Sequence, residues 1–222
     1  MFDWQPVLLS LKIAGIALIF IGAGGIAAAY FLARREFPGK DSLETILMLP
    51  LVLPPVVTGF GLLLLIGRQG PIGRLLYALF HRQIIFTPVA AVLAAVLVAF
   101  PLMFQSAKAA LQGVDRRLED AARTLGKNEL KVFLTITLPL AWPGLLAGLV
   151  LAFSRALGEF GATVMVAGNI PGKTQTIPMA IYFASESNDL STAGGYVLII
   201  SLLTFGMVFW LNRWSKKRLK RG

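Results

Sequence analysis

The stretch EDAARTLGKNELKVFLTITLPLAWPG runs from Glu119 to Gly144 and changes character halfway. Its first half is charged and amphipathic; its second half is apolar and carries Pro139 and Pro143. Leu118, Ala121, Ala122 and Leu125 fall at the i, i+3, i+4, i+7 spacing of one helix face. Arg116, Arg117, Glu119, Asp120, Arg123 and Lys127 decorate the remainder. Asp115 is placed to cap the start of this helix, and Gly126 to close its end in the left-handed conformation. A second helix is expected from about Asn128, leading into the apolar half. A helix of about ten residues is marginal by itself in water. Its apolar stripe therefore needs a surface to receive it, either lipid or another protein.

The surrounding chain is that of a membrane protein. Of its 222 residues 56% are hydrophobic and only 14% charged, against roughly a quarter charged in a soluble domain. Charge-free runs occur at Ile13–Leu32, Ile46–Ile66, Ile84–Phe104, Val132–Ser154 and Leu190–Leu211. Each is close to the ~20 residues that an α-helix needs to cross the hydrocarbon layer. Phe160–Gly172 also lacks charge but is too short to span, which predicts a re-entrant segment or half-helix. The expected fold is thus all-α and polytopic, with five transmembrane helices and one partial insertion. Met1-Phe2-Asp3-Trp4 has no basic region of the kind that opens a cleaved signal peptide, so the first span is expected to be retained.

The net charge of +10 is explained by topology. The basic end Lys216-Lys217-Arg218-Leu219-Lys220-Arg221 belongs in the cytoplasm by the positive-inside rule, which with five spans puts the N-terminus outside. Residues 33–45, 105–131 and the C-terminal segment then lie inside together and hold fifteen of the 21 Lys and Arg residues. Anionic lipid is a natural partner for them; nucleic acid is not required. The chain has no cysteine, and its single histidine, His81, sits in an expected loop beside Arg82 without the convergent ligands that a metal needs. No catalytic set of residues is visible.

The order Asp120-Ala121-Ala122, three residues, Gly126, nine residues, Ile136-Thr137-Leu138-Pro139 resembles the cytoplasmic signature of binding-protein-dependent ABC-transporter permeases, E-A-A-x3-G-x9-I-x-L-P. Asp120 stands where the family has Glu. The resemblance implies a single permease domain over 1–222, with a coupling-helix segment at 105–133 that docks into a cleft on a separate ATPase subunit. Leu118, Glu119, Asp120, Ala121, Ala122, Leu125 and Gly126 would form that docking element. Phe37–Leu65, Val114–Gly126 and Ala156–Tyr182 are similar, more narrowly, to permeases of molybdate ABC transporters. That likeness implies type I importer architecture in a bacterial inner membrane. It also implies two permease subunits, two ATPase subunits and a periplasmic molybdate-binding protein. ATP and Mg would act through the partner, and no cofactor through this chain. Permeases for sulfate, thiosulfate and tungstate share much of the pattern. With few helices to enclose a path and one coupling motif, a homodimer with the path on its two-fold axis follows.

Several residues are candidates for that path. Pro50, Pro54 and Pro55 interrupt the second span, where each proline removes a backbone donor. This predicts a bent helix that either lines the path, with Thr58 and Gly59 near its opening, or is a static kink. Gly144-x3-Gly148 permits close helix packing. Ser154 and Thr163 could offer hydroxyls to an oxyanion or bond to their own backbone. Arg155 and Glu159, expected just beyond the fourth span, share a helix face and read as a clasp at an outer gate or as an anion site. Residues Ala167 to Thr174 imitate a nucleotide-binding P-loop but lack its first glycine and are expected on the outer side. An ATP-independent secondary transporter or channel is the rival class, disfavoured by the absence of an inverted repeat.

Overall fold

A computed structural model describes residues 2–219, with side chains described through Trp214. These residues are helical in the order α1 (Gln5–Arg34), α2 (Lys40–Val52), α3 (Pro55–Ile66), α4 (Pro71–Phe80), α5 (Pro88–Gln112) and α6 (Arg116–Thr124). Then follow α7 (Glu129–Val132), a π-helical turn (Phe133–Thr137), α8 (Leu138–Leu157), α9 (Gly161–Ala167), α10 (Ile177–Glu186) and α11 (Leu190–Leu219). The basic run at 216–221, on which the expected orientation leans, lies outside the described side chains.

The packed centre is α1, α5 and α8. Lipid tails are as apolar as leucine, so helices in a bilayer are held by close contact of small side chains rather than by escape from water. Accordingly α5 buries Ala90, Ala91, Ala94, Ala95, Ala99 and Ala107 in the core. Gly144 and Gly148 bring α8 so near α5 that a β-carbon on either would stand 2.6 Å from Ala110 or Ser106. Their spacing is therefore a packing device, as expected.

Contacts along the helices fix their directions. Leu9 and Ile13 share a groove with Pro88 and Val92 at one end, and Gly25 abuts Met103 further along. Arg34 meets Glu119, a few residues past α5, at the opposite end. Thus α1 and α5 run parallel, and the chain between them must recross the layer. It does so as α2 and α3, one span bent by 116°. The sequence predicts a bent helix over Ile46–Ile66; the structure severs it. Pro50 is accommodated within α2, but Pro54 and Pro55 in succession offer no N–H to the carbonyls of the last turn of α2, so the ladder stops and restarts.

The return crossing is broken too. It rises through α7, the π turn and α8, stops at Gly158, and resumes as α9, whose Val166 carbonyl accepts from the Phe86 N–H at 2.9 Å. Of the two forms expected for 160–172, the half-helix is the one made. Counted this way the described residues hold five stretches long and apolar enough to cross, in α1, α2–α3, α5, α7–α9 and α11. A small second core of Val7, Ile177, Ala180 and Tyr196 ties α10 and the start of α11 to the start of α1. Ser10 Oγ accepts from the Ile177 N–H at 2.7 Å, and the Tyr196 hydroxyl donates to the Asp3 carbonyl at 2.7 Å. The chain therefore begins at one face, and α11 leads to the other.

The half-helices α3 and α9 lie against each other at Gly59, where a β-carbon would come 2.6 Å from Cα of Ala162. Backbone cannot yield as a side chain can, so Gly59→Ala should overpack this contact by about 1–3 kcal/mol. Gly61, two residues on, has open space around it. Thermal unfolding in detergent should show a lowered midpoint for Gly59→Ala and none for Gly61→Ala; equal midpoints would contradict the close crossing.

Candidate functional site

The polar helix α6 forms as its residues require. The Asp115 side chain accepts from the Arg117 N–H at 2.9 Å and caps the start. At the other end Gly126 takes φ +77°, its N–H bonds to the Arg123 carbonyl at 2.9 Å, and the Lys127 N–H reaches back to Ala122 at 3.2 Å. These two bonds close the orphan carbonyls of the last turn in a Schellman motif. Nothing lies within 4 Å of a β-carbon at Gly126, so the backbone angle alone calls for glycine there. Asn128 caps the next helix by accepting from the Lys131 N–H at 2.9 Å, where the second helix was expected to start.

Two assignments on this helix need correction. Glu119, expected among the solvated charges, is 1% exposed, and Ala122, expected in the outward stripe, is buried as well. The two residues are three apart and share the inner face. What remains outside is Leu118 at 49% exposure, Ala121, and Leu125 at 81%. Asp120, at the motif's carboxylate position, is exposed and pairs with Arg123 at 2.6 Å. Arg123 also grips Glu129 at the start of α7 at 2.6 Å, so α6 and α7 are strapped together.

Glu119 is the anchor of α6. Its carboxylate takes both arms of the Arg34 guanidinium, with Nη1 2.7 Å from Oε2 and Nη2 bonded to Oε1. The Thr137 hydroxyl donates to Oε1 at 2.5 Å. Arg34 closes the last turn of α1 and lies over the Tyr30 ring, 4.8 Å from its centroid. Thr137 ends the π-helical turn, where the Leu138 N–H reaches back five residues to the Phe133 carbonyl. Pro139 follows, unable to donate to the carbonyl four residues earlier, and the helix widens ahead of it. Burial drives the Glu119 carboxyl up, but the hydrogen bonds from Arg34 and Thr137 outweigh it and hold the group below its ordinary value near 4.5. The partners stand 85 and 18 residues away in sequence, so helix periodicity could not reveal this site.

The second locus joins two sets of residues that the sequence kept apart. The break between α2 and α3 lies beside the break between α8 and α9: a β-carbon on Gly161 would come 2.9 Å from Pro55. Pro54 and Pro55 are exposed, whereas Thr58, Gly59 and Thr163 are buried around the α3–α9 crossing. The Thr58 hydroxyl has no hydrogen-bond partner there. Ser154 donates to the Val150 carbonyl of its own helix at 2.9 Å. Arg155 Nη1 lies 2.8 Å from Glu159 Oε2, and the other oxygen of Glu159 accepts from the Ala162 N–H at 2.7 Å.

The pair is therefore not past the membrane, as expected, but within the bundle. Five residues of α9 at a 1.5 Å rise, about 7–8 Å, separate Gly161 at the break from Val166 beside Phe86. Glu159 is 2% exposed and does two jobs: it neutralises Arg155 and supplies the acceptor that a half-helix beginning inside a protein must find. The imitation P-loop is an ordinary turn. Thr174 is fully buried, donates to the Gly168 carbonyl at 2.9 Å and accepts from the Ile170 N–H at 3.0 Å.

Two crossings broken side by side, and a polar helix fastened to α1, α7 and the π-helical turn, are the two polar loci of this membrane domain. The family described as binding-protein-dependent transport system inner membrane component matches residues 13–221, and the chain belongs to that family. It is 48% identical to the molybdenum transport system permease protein ModB of Escherichia coli K12, over 99% of this chain and 97% of that protein. It is 37% identical to a Nephroselmis olivacea protein described as a probable sulfate transport system permease protein cysT, over 95% of this chain and 75% of that one. Among solved structures, an inward-facing MetNI methionine ABC transporter superposes with a TM-score of 0.72 at 15% identity, over 96% of this chain and 94% of that one. The fold is that of the ABC importer permeases, as the sequence led us to expect.

Two outcomes follow from the geometry. Glu119→Ala leaves Arg34 facing a void; loss of one partner of a fully buried pair costs about 3–5 kcal/mol, and somewhat less here because Arg34 is 23% exposed. A carboxyl held below its ordinary value stabilises the fold above that value, and the stabilisation disappears as pH falls through the depressed one. Protection of the α6 amides in hydrogen exchange, corrected for intrinsic rates, should thus hold at neutral pH and weaken progressively as pH falls below about 4.5. In Glu119→Gln that weakening should vanish. At the other locus Glu159→Gln keeps an acceptor for Ala162 and should preserve more thermal stability than Glu159→Ala. Equal losses would mean that the cap contributes nothing.

Proposed function

We propose that this chain is the membrane-spanning subunit of an ATP-driven molybdate importer in a bacterial cytoplasmic membrane. The observation that carries the substrate is the 48% identity, over nearly the whole of both chains, to a protein named for molybdenum transport. In this reading two copies enclose the path at their common axis, and the α6 end of each faces the cytoplasm. The N-terminus is then outside and the C-terminus inside. ATP and Mg are bound by two partner ATPase subunits and not by this chain. A periplasmic binding protein delivers the dianion and carries most of the selectivity, since a path that bound tightly would not release.

The exposed Leu118–Ala121–Leu125 face, within the segment 105–133, is the surface offered to the ATPase. Asp120 and Gly126 shape its edges, while Glu119 and Ala122 act from beneath by fixing its position. When the motors close, α6 is carried with them, and Glu119 passes the displacement to α1 and to the π-helical turn. The broken crossings then open or close the path around Pro54, Pro55, Thr58 and Gly59 on one side and Ser154, Arg155, Glu159 and Thr163 on the other. The Arg155–Glu159 pair serves as a structural clasp there, because a carboxylate so placed would repel the anion that Arg155 attracts. The likeness to a sulfate permease supports one second reading, in which sulfate, thiosulfate or tungstate is the cargo of the same machine.

Isotopic molybdate uptake by a strain lacking the chromosomal gene, complemented with this one and challenged with tungstate, thiosulfate and sulfate, tests both readings. Uptake resistant to excess sulfate supports the first. Uptake of sulfate with none of molybdate establishes the second, and neither without the other subunits expressed is expected. The coupling role has its own test. Gly126→Val should abolish uptake while the assembled complex still hydrolyses ATP, because a β-branched residue is strained at φ +77°. Asn tolerates that conformation, so Gly126→Asn should retain most uptake. Normal transport by a well-expressed Gly126→Val variant would remove α6 from the coupling scheme.

A further inference from the structure

The helix α4 was not foreseen in the sequence, and no residue in it is buried. Ile72, Leu75, Leu76 and Leu79 follow the i, i+3, i+4, i+7 spacing and form an apolar stripe, with Leu79 at 63% exposure. Arg74 and Tyr77 occupy the other side. The Arg74 Nε donates to the Gln69 carbonyl at 2.8 Å, and the Tyr77 ring rests beside His81, with centroids 5.9 Å apart. Helix α3 is its main packing partner.

Its distance from the neighbouring crossings is limited by chain length. Four residues separate it from the end of the α2–α3 crossing, and seven from the start of α5. Four residues reach at most about 14 Å, so α4 stays close to the end of that crossing. Its angle is fixed as well. The Gly67 N–H bonds to Leu63 and the Gly70 N–H to Gly67 in a tight turn. A β-carbon on Gly73 would overlap the Gly67 carbonyl, at 1.9 Å. The helix is a placed element and not a loose loop. Around it Arg68, Arg74 and Arg82 are the only charged residues from 67 to 83, and no carboxylate occurs between Glu44 and Asp115.

We infer that α4 lies in the plane of the membrane interface, with Ile72, Leu75, Leu76 and Leu79 sunk among lipid chains and the three arginines set against anionic phospholipid headgroups. An amphipathic helix with arginines on and beside its polar side binds an interface by this combination of apolar burial and headgroup attraction. Lipid is preferred to a protein partner because the helix is tethered by four residues to the end of a crossing and its flanking charge has a single sign.

The chain has no cysteine, so single-cysteine variants can be spin-labelled without background. The test uses the full transporter complex in vesicles of equal parts phosphatidylethanolamine and phosphatidylglycerol. Labels at Ile72→Cys, Leu75→Cys and Leu79→Cys should collide several-fold more with oxygen than with a water-soluble nickel chelate. Labels at Arg74→Cys and Ala78→Cys should show the reverse. Equal access to the chelate on both sides of the helix would place it in water and overturn the inference. Shielding of Leu75 and Leu79 from both reagents would overturn it too, by showing a second copy or another protein on that face. Replacing phosphatidylglycerol with phosphatidylcholine should reduce the oxygen preference at Leu75 and Leu79. An unchanged preference would refute the part of the inference that assigns the arginines to anionic headgroups.

Discussion

A carboxylate taken out of water has to be met by donors where it lies, and Glu119 is met by two elements at once. Arg34 approaches from the end of α1, Thr137 from the widened turn at the foot of α8. This contact, together with the Arg123–Glu129 strap to α7, fixes a nine-residue helix, too short to be stable alone, to the membrane domain. Because Glu119 faces inward, Leu118, Ala121 and Leu125 must face outward. The inward carboxylate and the outward apolar face are the same structural fact seen from two sides. The π turn belongs to this arrangement, since it ends on the residue that donates to Glu119.

A similar economy governs the two broken crossings. Each break releases backbone groups that hydrocarbon cannot satisfy, and each is placed where protein can. Glu159 accepts from the first turn of α9, and Gly59 and Gly161 let α3 and α9 come close enough to shelter the ends. The prolines of the second crossing and the ion pair within the fourth therefore form one locus. The Thr58 hydroxyl is buried beside them without a hydrogen-bond partner.

Much of this was legible in the sequence because it is written in local pattern. Five charge-free runs of spanning length marked the crossings; Asp115, Gly126 and Asn128 marked the limits of the polar helices; Gly144 and Gly148 marked a close contact. The rest depends on partners distant in the chain. Periodicity placed Glu119 among solvated charges because nothing near it announces Arg34. It placed Arg155 and Glu159 outside the membrane because the charge-free run ends there, although α9 carries the crossing further. The α4 segment went unread because a ten-residue amphipathic helix between two spans looks like a polar loop when only its arginines and glycines are weighed. Two adjacent prolines announced a bend but not its size, which is set by what α3 packs against.

The two ion pairs differ in how they must arise during synthesis. Arg155 and Glu159 are four residues apart on one helical stretch, so they can pair as soon as that stretch is made and enter the bilayer as a neutral unit. The expense of a lone charge in hydrocarbon, about 2.5–3.5 kcal/mol on insertion scales, need never arise. Arg34 is finished long before Glu119, 85 residues later, and must wait through two further crossings. It waits at the end of α1, where a guanidinium can stay hydrated until α6 arrives. The pair inside the bundle is thus contiguous in sequence and the pair at its edge is remote, an order in which neither pair has to send a lone charge through the membrane.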